Sequence, residues 1–406
     1  MSRLTVIFLL VGAIVPLISS QCTPKTATPL LKRAVYDFTL GLMRRINQET
    51  ESHFVTSALS PWALISTMSL GAANDTLKEI QNVLRLHPQK CFNNLFFNLI
   101  NQITSKPSNP AAGMLERSAT IFFDGSLNIK PKFLNDVTNI AASDARIVSF
   151  YDRTVTSAII NEHVRSVTND AIDEIVTPSD LDDVYVVMID ALYFKGAWKI
   201  PFPYEDTEIS AFYNSKGQQI GDVSLMYVSS RFNTTSIDQI QAQVLELPYG
   251  EDTRYGMLIF LPYQNVTISR LIDSLKKISI SSIYILFGNQ EPQAVDVQIP
   301  RFKINTDINN LKELLMDMGL QNLFDQNTGN FPGISDYPLY VSNFIQKANI
   351  EVTEEGTEAS AATAAFLESR MLPDQFVANK PFLFMIVDRQ FHIPIFTGAY
   401  SKPSNF

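Results

Sequence analysis

The 406-residue sequence predicts one large α+β domain. Apolar residues recur at helical spacing through the first hundred residues, whereas β-branched and aromatic runs prevail beyond residue 185. The two kinds of element are segregated rather than alternating, which is the α+β pattern. No Pro/Gly-rich linker and no internal repeat divides the chain, although its length would accommodate two average domains. A single sizeable core is therefore expected.

Residues 29–48 repeat apolar side chains with helical period, 62–73 are apolar nearly all round, and 75–86 form a short amphipathic stretch. A strand is expected at 118–123, a helix at 132–142 and a long amphipathic helix at 155–175. Residues 185–194 (YVVMIDALYF) are apolar on both faces and read as a central strand. Strands follow at 244–248, 255–261, 294–299, 343–353, 381–387 and 393–399, with helices at 268–277 and 311–318.

At the N-terminus, Arg3, an apolar stretch over 4–17 and the small residues Ser19 and Ser20 read as a secretory signal over 1–20, cleaved before Gln21. The stretch is shorter than the ~20 residues a membrane span needs. A soluble, secreted protein of residues 21–406 is expected. The formal charge of −9 becomes −10 without Arg3, and no basic stripe stands out. Nucleic acid is thus an unsuitable partner. Residues 93–106 are amphipathic but nearly uncharged, so no site for a heparin-like polyanion is visible.

Cys22 and Cys91 are the only cysteines. In an oxidising compartment they either pair, closing a loop of about 70 residues and stabilising by up to about 4 kcal/mol, or Cys22 stays free or bonds another chain. Glycosylation sequons begin at Asn74, Asn233 and Asn265 and would mark surface. None of the four histidines, His53, His87, His163 and His392, sits in a metal-binding spacing. There is no GxSxG elbow and no phosphate-binding Gly-rich loop, so catalysis and a bound cofactor are not expected.

One segment stands apart: EEGTEASAATAAFLESRM, 354–371, where seven consecutive residues from Ala359 to Ala365 are Ala, Ser or Thr. With the strand period of two, Thr357, Ala359, Ala361, Thr363, Ala365 and Leu367 form an uncharged face. The segment suits both a half-buried strand and an exposed, cleavable loop.

Several motifs together resemble the serpin family: FVANKPFLFMI (376–386) with IPIFTGAYSKP (393–403), DALYFKGAW (190–198), LSPWALISTMSLGAANDTLKEI (59–80), LELPYG with MLIFLP (245–262) and IPRFKI (299–304). The resemblance covers about 29–403. It implies three β-sheets, eight or nine helices, a monomer, and an exposed C-terminal reactive loop at about 354–375 that baits a serine protease. The protease forms an acyl-enzyme on the bait, and the freed loop inserts into the large sheet.

The family's hinge is matched by Glu354, Gly356, Thr357, Glu358, Ala359, Ser360, Ala361 and Ala362. By the family's spacing the scissile bond follows the fourteenth residue after Gly356 and lies twelve residues before Phe382; both counts give Arg370–Met371. An Arg bait suits a trypsin-like pocket with a carboxylate at its base. A one-residue offset would present Met371 to a chymotrypsin- or elastase-like enzyme. The small side chains imply an inhibitor, with a non-inhibitory binding or carrier serpin as the alternative. An extracellular inhibitor with an Arg bait is similar to serpins that restrain proteolytic cascades in body fluids, as in arthropod immunity.

The sequence departs from the family where a cluster of two Ser, one Asn and one His controls sheet opening. The matching positions are Ser60, Ala63, Asp190 and Gln346, and Trp198, which follows the central strand, is grouped with them in the sheet-opening latch. Asp190 and Gln346 are expected to form a substitute latch. His163, where the family's long helix has Trp, is expected to be a packing residue.

Overall fold

The computed structural model describes residues 21–105, 114–308, 310–356 and 373–403. The chain starts with helix α1 (Pro24–Glu49), whose Thr23 caps the helix: its Oγ1 accepts from Thr26 N–H, and Thr26 Oγ1 accepts in return from Thr23 N–H. A three-residue strand β1 (Phe54–Thr56) leads into α2 (Leu59–Met68), every residue of which is buried, as an all-round apolar helix must be. Helices α3 (Asn74–Leu84) and α4 (Lys90–Thr104) are amphipathic and cover one flank. Cys22 and Cys91 are joined in a disulfide with their Cα atoms 6.3 Å apart, tying the start of α1 to the first turn of α4.

Strand β2 (Met114–Asp124), α5 (Pro131–Ile140), β3 (Asp144–Val148) and α6 (Arg153–Thr168) follow. α6 stops seven residues short of the expected end because Asn169 turns left-handed at φ 50°. The central strand is β4 (Val186–Lys195), and β5 (Glu208–Tyr213), β6 (Gln219–Ile237), β7 (Ala242–Pro248) and β8 (Tyr255–Pro262) come next. Helices α7 (Ile268–Leu275) and α8 (Ile280–Gly288) precede β9 (Gln293–Pro300) and β10 (Phe302–Ile308). The chain closes with α9 (Leu311–Asp317), α10 (Gln321–Phe324), β11 (Asn343–Val352), β12 (Asp374–Val377), β13 (Phe382–Asp388) and β14 (Ile393–Tyr400).

The strands make a five-stranded sheet in the order β10-β11-β4-β2-β3 and a nine-stranded assembly, β1-β14-β13-β8-β7-β6-β9-β12 with β5 also on β6. Three sheets are expected from the sequence, and the difference lies in β6. Its 19 residues pair first with β5, then with β9 from Leu225 to Phe232, and finally with β7 from Asn233 to Ile237. One long strand thus belongs to two sheets. The ten α-helices among the described residues exceed the expected eight or nine, the extra one being the four-residue α10.

The five-stranded sheet is covered on both faces. One face, with Phe122, Val187, Ile189 and Ala191, packs on Ile160 and Val164 of α6. The other, with Met188, Leu192 and Ala348, joins the main core against α2. Between β11 and β4 the pairing is parallel, from Asn343↔Val187 to Asn349↔Tyr193. Both strands have their remaining neighbours antiparallel, β10 on one side and β2 on the other. No helix among the described residues is long and apolar enough to cross a membrane.

Candidate functional site

Two groups of residues flank the parallel pairing of β4 and β11. The first lies at the C-terminal end of β11. Beyond Val352 the chain turns at 353–356: Thr353 N–H donates to the Gly356 carbonyl at 3.2 Å and Gly356 N–H to the Thr353 carbonyl at 3.1 Å. Gly356 also forms an antiparallel bridge with Ala197, on the continuation of β4. Its φ of +95° is a left-handed value, and a Cβ there would lie 2.4 Å from the Gly196 carbonyl oxygen and 2.5 Å from Trp198 N. Only glycine fits this position.

Glu354 is wholly buried, although it precedes a segment read as solvent-exposed bait. Its Oε1 accepts from Arg301 Nε at 3.1 Å, from Arg301 Nη2 and from Thr207 Oγ1 at 2.7 Å, and its backbone carbonyl accepts from Phe202 N–H at 2.9 Å. Trp198 donates Nε1–H to the Thr353 carbonyl at 2.9 Å and stacks on Tyr249 at 4.3 Å. Trp198 is therefore a hinge residue and not part of the sheet-opening cluster with which the sequence motif groups it. Eight positions along the chain from Asp190, it continues past the strand end into this turn.

The second group lies midway along the parallel pair. Gln346 of β11 stands opposite Asp190 of β4 in register, and Gln346 Nε2 donates to Asp190 Oδ2 at 2.6 Å. The same amide donates to the Ser57 carbonyl at 2.8 Å, and its Oε1 accepts from Thr56 Oγ1 at 2.5 Å. The amide's hydrogen-bonding capacity is thus used on both its nitrogen and its oxygen. Asp190 is completely buried, and its Oδ1 has no hydrogen-bond partner. Burial pushes the Asp190 carboxyl up to about 7, against the opposing pull of the Arg117 cation and of the hydrogen bonds from Gln346 and Ser60.

Arg117 of β2 completes the cluster. Its Nε donates to Ser60 Oγ at 2.7 Å and its Nη1 to the Ala142 carbonyl at 2.9 Å. Burial pushes the guanidinium below its usual value, while Asp190 and Asp144 act to raise it. Ser60, Asp190 and Gln346 therefore lie in one cluster, together with a cation that the sequence motif did not point to. An Arg within a strand otherwise bound for the core, with an Asp on the neighbouring strand, is the signal that could have found it.

Other predicted residues are placed as follows. His163 packs edge-on to Phe122, with Nε2 3.0 Å from Thr120 Oγ1 and 3.3 Å from Ser118 Oγ. Asn74 and Asn265 are exposed, whereas Asn233 is half-buried in β6 with Nδ2 donating to buried Glu246 at 2.8 Å. Asn233 thus does not mark an open surface as Asn74 and Asn265 do. The signal segment 1–20, and Thr357, Glu358, Ala359, Ser360, Ala361, Ala362, Arg370 and Met371 of the loop, lie outside the described residues.

The family profile described as "Serpin (serine protease inhibitor)" matches residues 33–403. A leukocyte elastase inhibitor of Xenopus tropicalis is 31% identical, over 92% of this chain and 99% of that protein. Human glia-derived nexin is 30% identical, over 84% of this chain and 85% of that protein. Among solved structures, Serpin48 of the insect Tenebrio molitor superposes with a TM-score of 0.77 at 26% identity, covering 93% of this chain and 99% of the other. The match spans both the sheet seam and the hinge at Gly356, and the chain belongs to the serpin family of serine protease inhibitors.

Proposed function

We propose that this protein is a secreted suicide-substrate inhibitor of a trypsin-like serine protease, with Arg370 as bait and Arg370–Met371 as the bond attacked. The observation that carries the reading is the position of Gly356. It is bridged antiparallel to Thr353 on the β11 side and to Ala197 on the β4 side, so the chain at this point already runs between the two strands. A segment continuing in that direction enters the seam antiparallel to both neighbours. One parallel pairing would become two antiparallel ones, which are the slightly more stable kind.

The composition of the loop fits that path. Residues 359–365 are Ala, Ser or Thr, small enough to enter a close-packed sheet, and the face from Thr357 to Leu367 carries no charge. About a dozen new ladder hydrogen bonds at roughly 1 kcal/mol net each would release on the order of 10 kcal/mol. That matches the whole stability of many domains, enough to drag an acylated protease and distort its active site. α4 carries Lys90 as its one cation, and no polyanionic cofactor is included in this reading. Restraint of an extracellular proteolytic cascade is the setting in which an Arg-baited inhibitor of this kind would act.

The test is incubation with trypsin, followed by denaturing electrophoresis and sequencing of the released peptide. An SDS-resistant complex and a C-terminal peptide beginning at Met371 are expected. A peptide beginning at Leu372 would move the bait to Met371, and a clipped chain without complex would leave a binding or carrier protein.

A further inference from the structure

We propose that Asp190 makes the β4–β11 seam a proton-gated latch, in which the closed sheet holds a proton that the opened sheet releases to water. This rests on the reading that the seam opens to admit the loop. Asp190 is the buried carboxylate at the centre of that seam, and its partner across it is the neutral Gln346 amide. Admitting a strand moves β11 away from β4 by one strand spacing, ~4.8 Å, which breaks the Gln346–Asp190 bond and lets water reach the carboxylate.

The surroundings determine the direction of the effect. From α2 comes Ser60, from β1 and its exit Thr56 and Ser57, and from β11 Gln346, none of them titratable near neutrality. From β2 comes Arg117, the cation facing Asp190, with Asp144 of β3 acting on it in turn. His163 lies on the opposite face of the sheet, against Ser118 and Thr120. Closed, the carboxylate has one oxygen on Gln346 and the other without a partner, so the neutral acid is favoured by burial. Open, the ionised form is hydrated and the carboxyl returns toward its ordinary range. Raising the pH therefore favours opening, up to the point at which Asp190 is already ionised in the closed sheet, at about 7.

The experiment is annealing of a labelled synthetic peptide with the sequence of residues 357–367, carrying Glu358→Gln so that it does not titrate, to the intact protein between pH 5.5 and 8.5. The wild-type association constant should rise up to about tenfold per pH unit below about pH 7 and level off above it. Asp190→Asn should give a flat profile. Calorimetry of the wild type in two buffers of different ionisation enthalpy gives a second readout that needs no variant: close to one proton should be released per peptide bound near pH 6. A flat wild-type profile, no proton release, or an Asp190→Asn profile parallel to that of the wild type would overturn the gate. The peptide reports on the seam and the trypsin complex on the bait, so either proposal can fail while the other stands.

Discussion

Arg301 and Glu354 show how much of the hinge rests on single side chains. Glu354 is fully buried, Arg301 is about three-quarters buried, and Thr207 adds a hydroxyl to the same carboxylate oxygen. Removing one partner of such a pair strands the other charge in low dielectric, which costs about 3–5 kcal/mol. Arg301→Met should therefore lower the unfolding free energy measured in urea by about 3–5 kcal/mol, and Thr207→Val should lower it by only about 1 kcal/mol, the worth of one hydrogen bond. Equal effects of the two variants would mean that the ion pair contributes no more than a neutral contact. Hinge residues were legible in the sequence as a family motif, but the burial of Glu354 was not. A Glu beside a second Glu and a Gly reads as solvated, and its partner Arg301 lies 53 residues away.

At the scale of elements, β4, β13 and β14 were legible because their residues are apolar on both faces, and such runs can only be buried strands or helices. The unread elements fail that test in identifiable ways. β6 spans 19 residues of mixed polar and apolar character because it passes between two sheets, each with its own buried face. α8, ISSIYILFG, is a short apolar run for which periodicity does not separate helix from strand, and capping by Ser279 settles it. The tie between α1 and α4 is also an element-level matter. The Cys22–Cys91 bridge closes a 69-residue separation, so Cys22→Ser with Cys91→Ser should destabilise the protein by up to about 4 kcal/mol in denaturant. Complex formation with trypsin should survive, since neither cysteine touches the seam. Loss of inhibition at unchanged fold would place the bridge in the opening mechanism instead.

Across the whole molecule, a half-buried histidine and a buried carboxylate act in opposite directions on stability. His392 stacks on Tyr284 at 4.5 Å, and burial, then the Lys32 charge, push it down to about 4. Below its ordinary value of about 6.5 the unfolded chain takes up a proton that the native His392 refuses, so acidification from about 6.5 to 4 removes stability. His53 and His163, both lowered by burial, act in the same sense. Asp190 does the reverse. Its native carboxyl holds a proton up to about 7 whereas the unfolded chain releases it near 3.8, so acidification through that window adds stability. The limiting slope for one proton is about 1.4 kcal/mol per pH unit, and Asp190 offsets only part of the histidine trend in the wild type between about pH 4.5 and 6.5. Asp190→Asn should therefore expose the histidine trend, with urea midpoints falling steadily from pH 7 to 5. His392→Gln should weaken the histidine trend, with midpoints that fall less steeply than those of the wild type over the same range. If both variants track the wild-type curve at a constant offset, neither group titrates differently in the native and unfolded chains. The seam would then be held closed by shape and hydrogen bonding, with no contribution from the proton on Asp190.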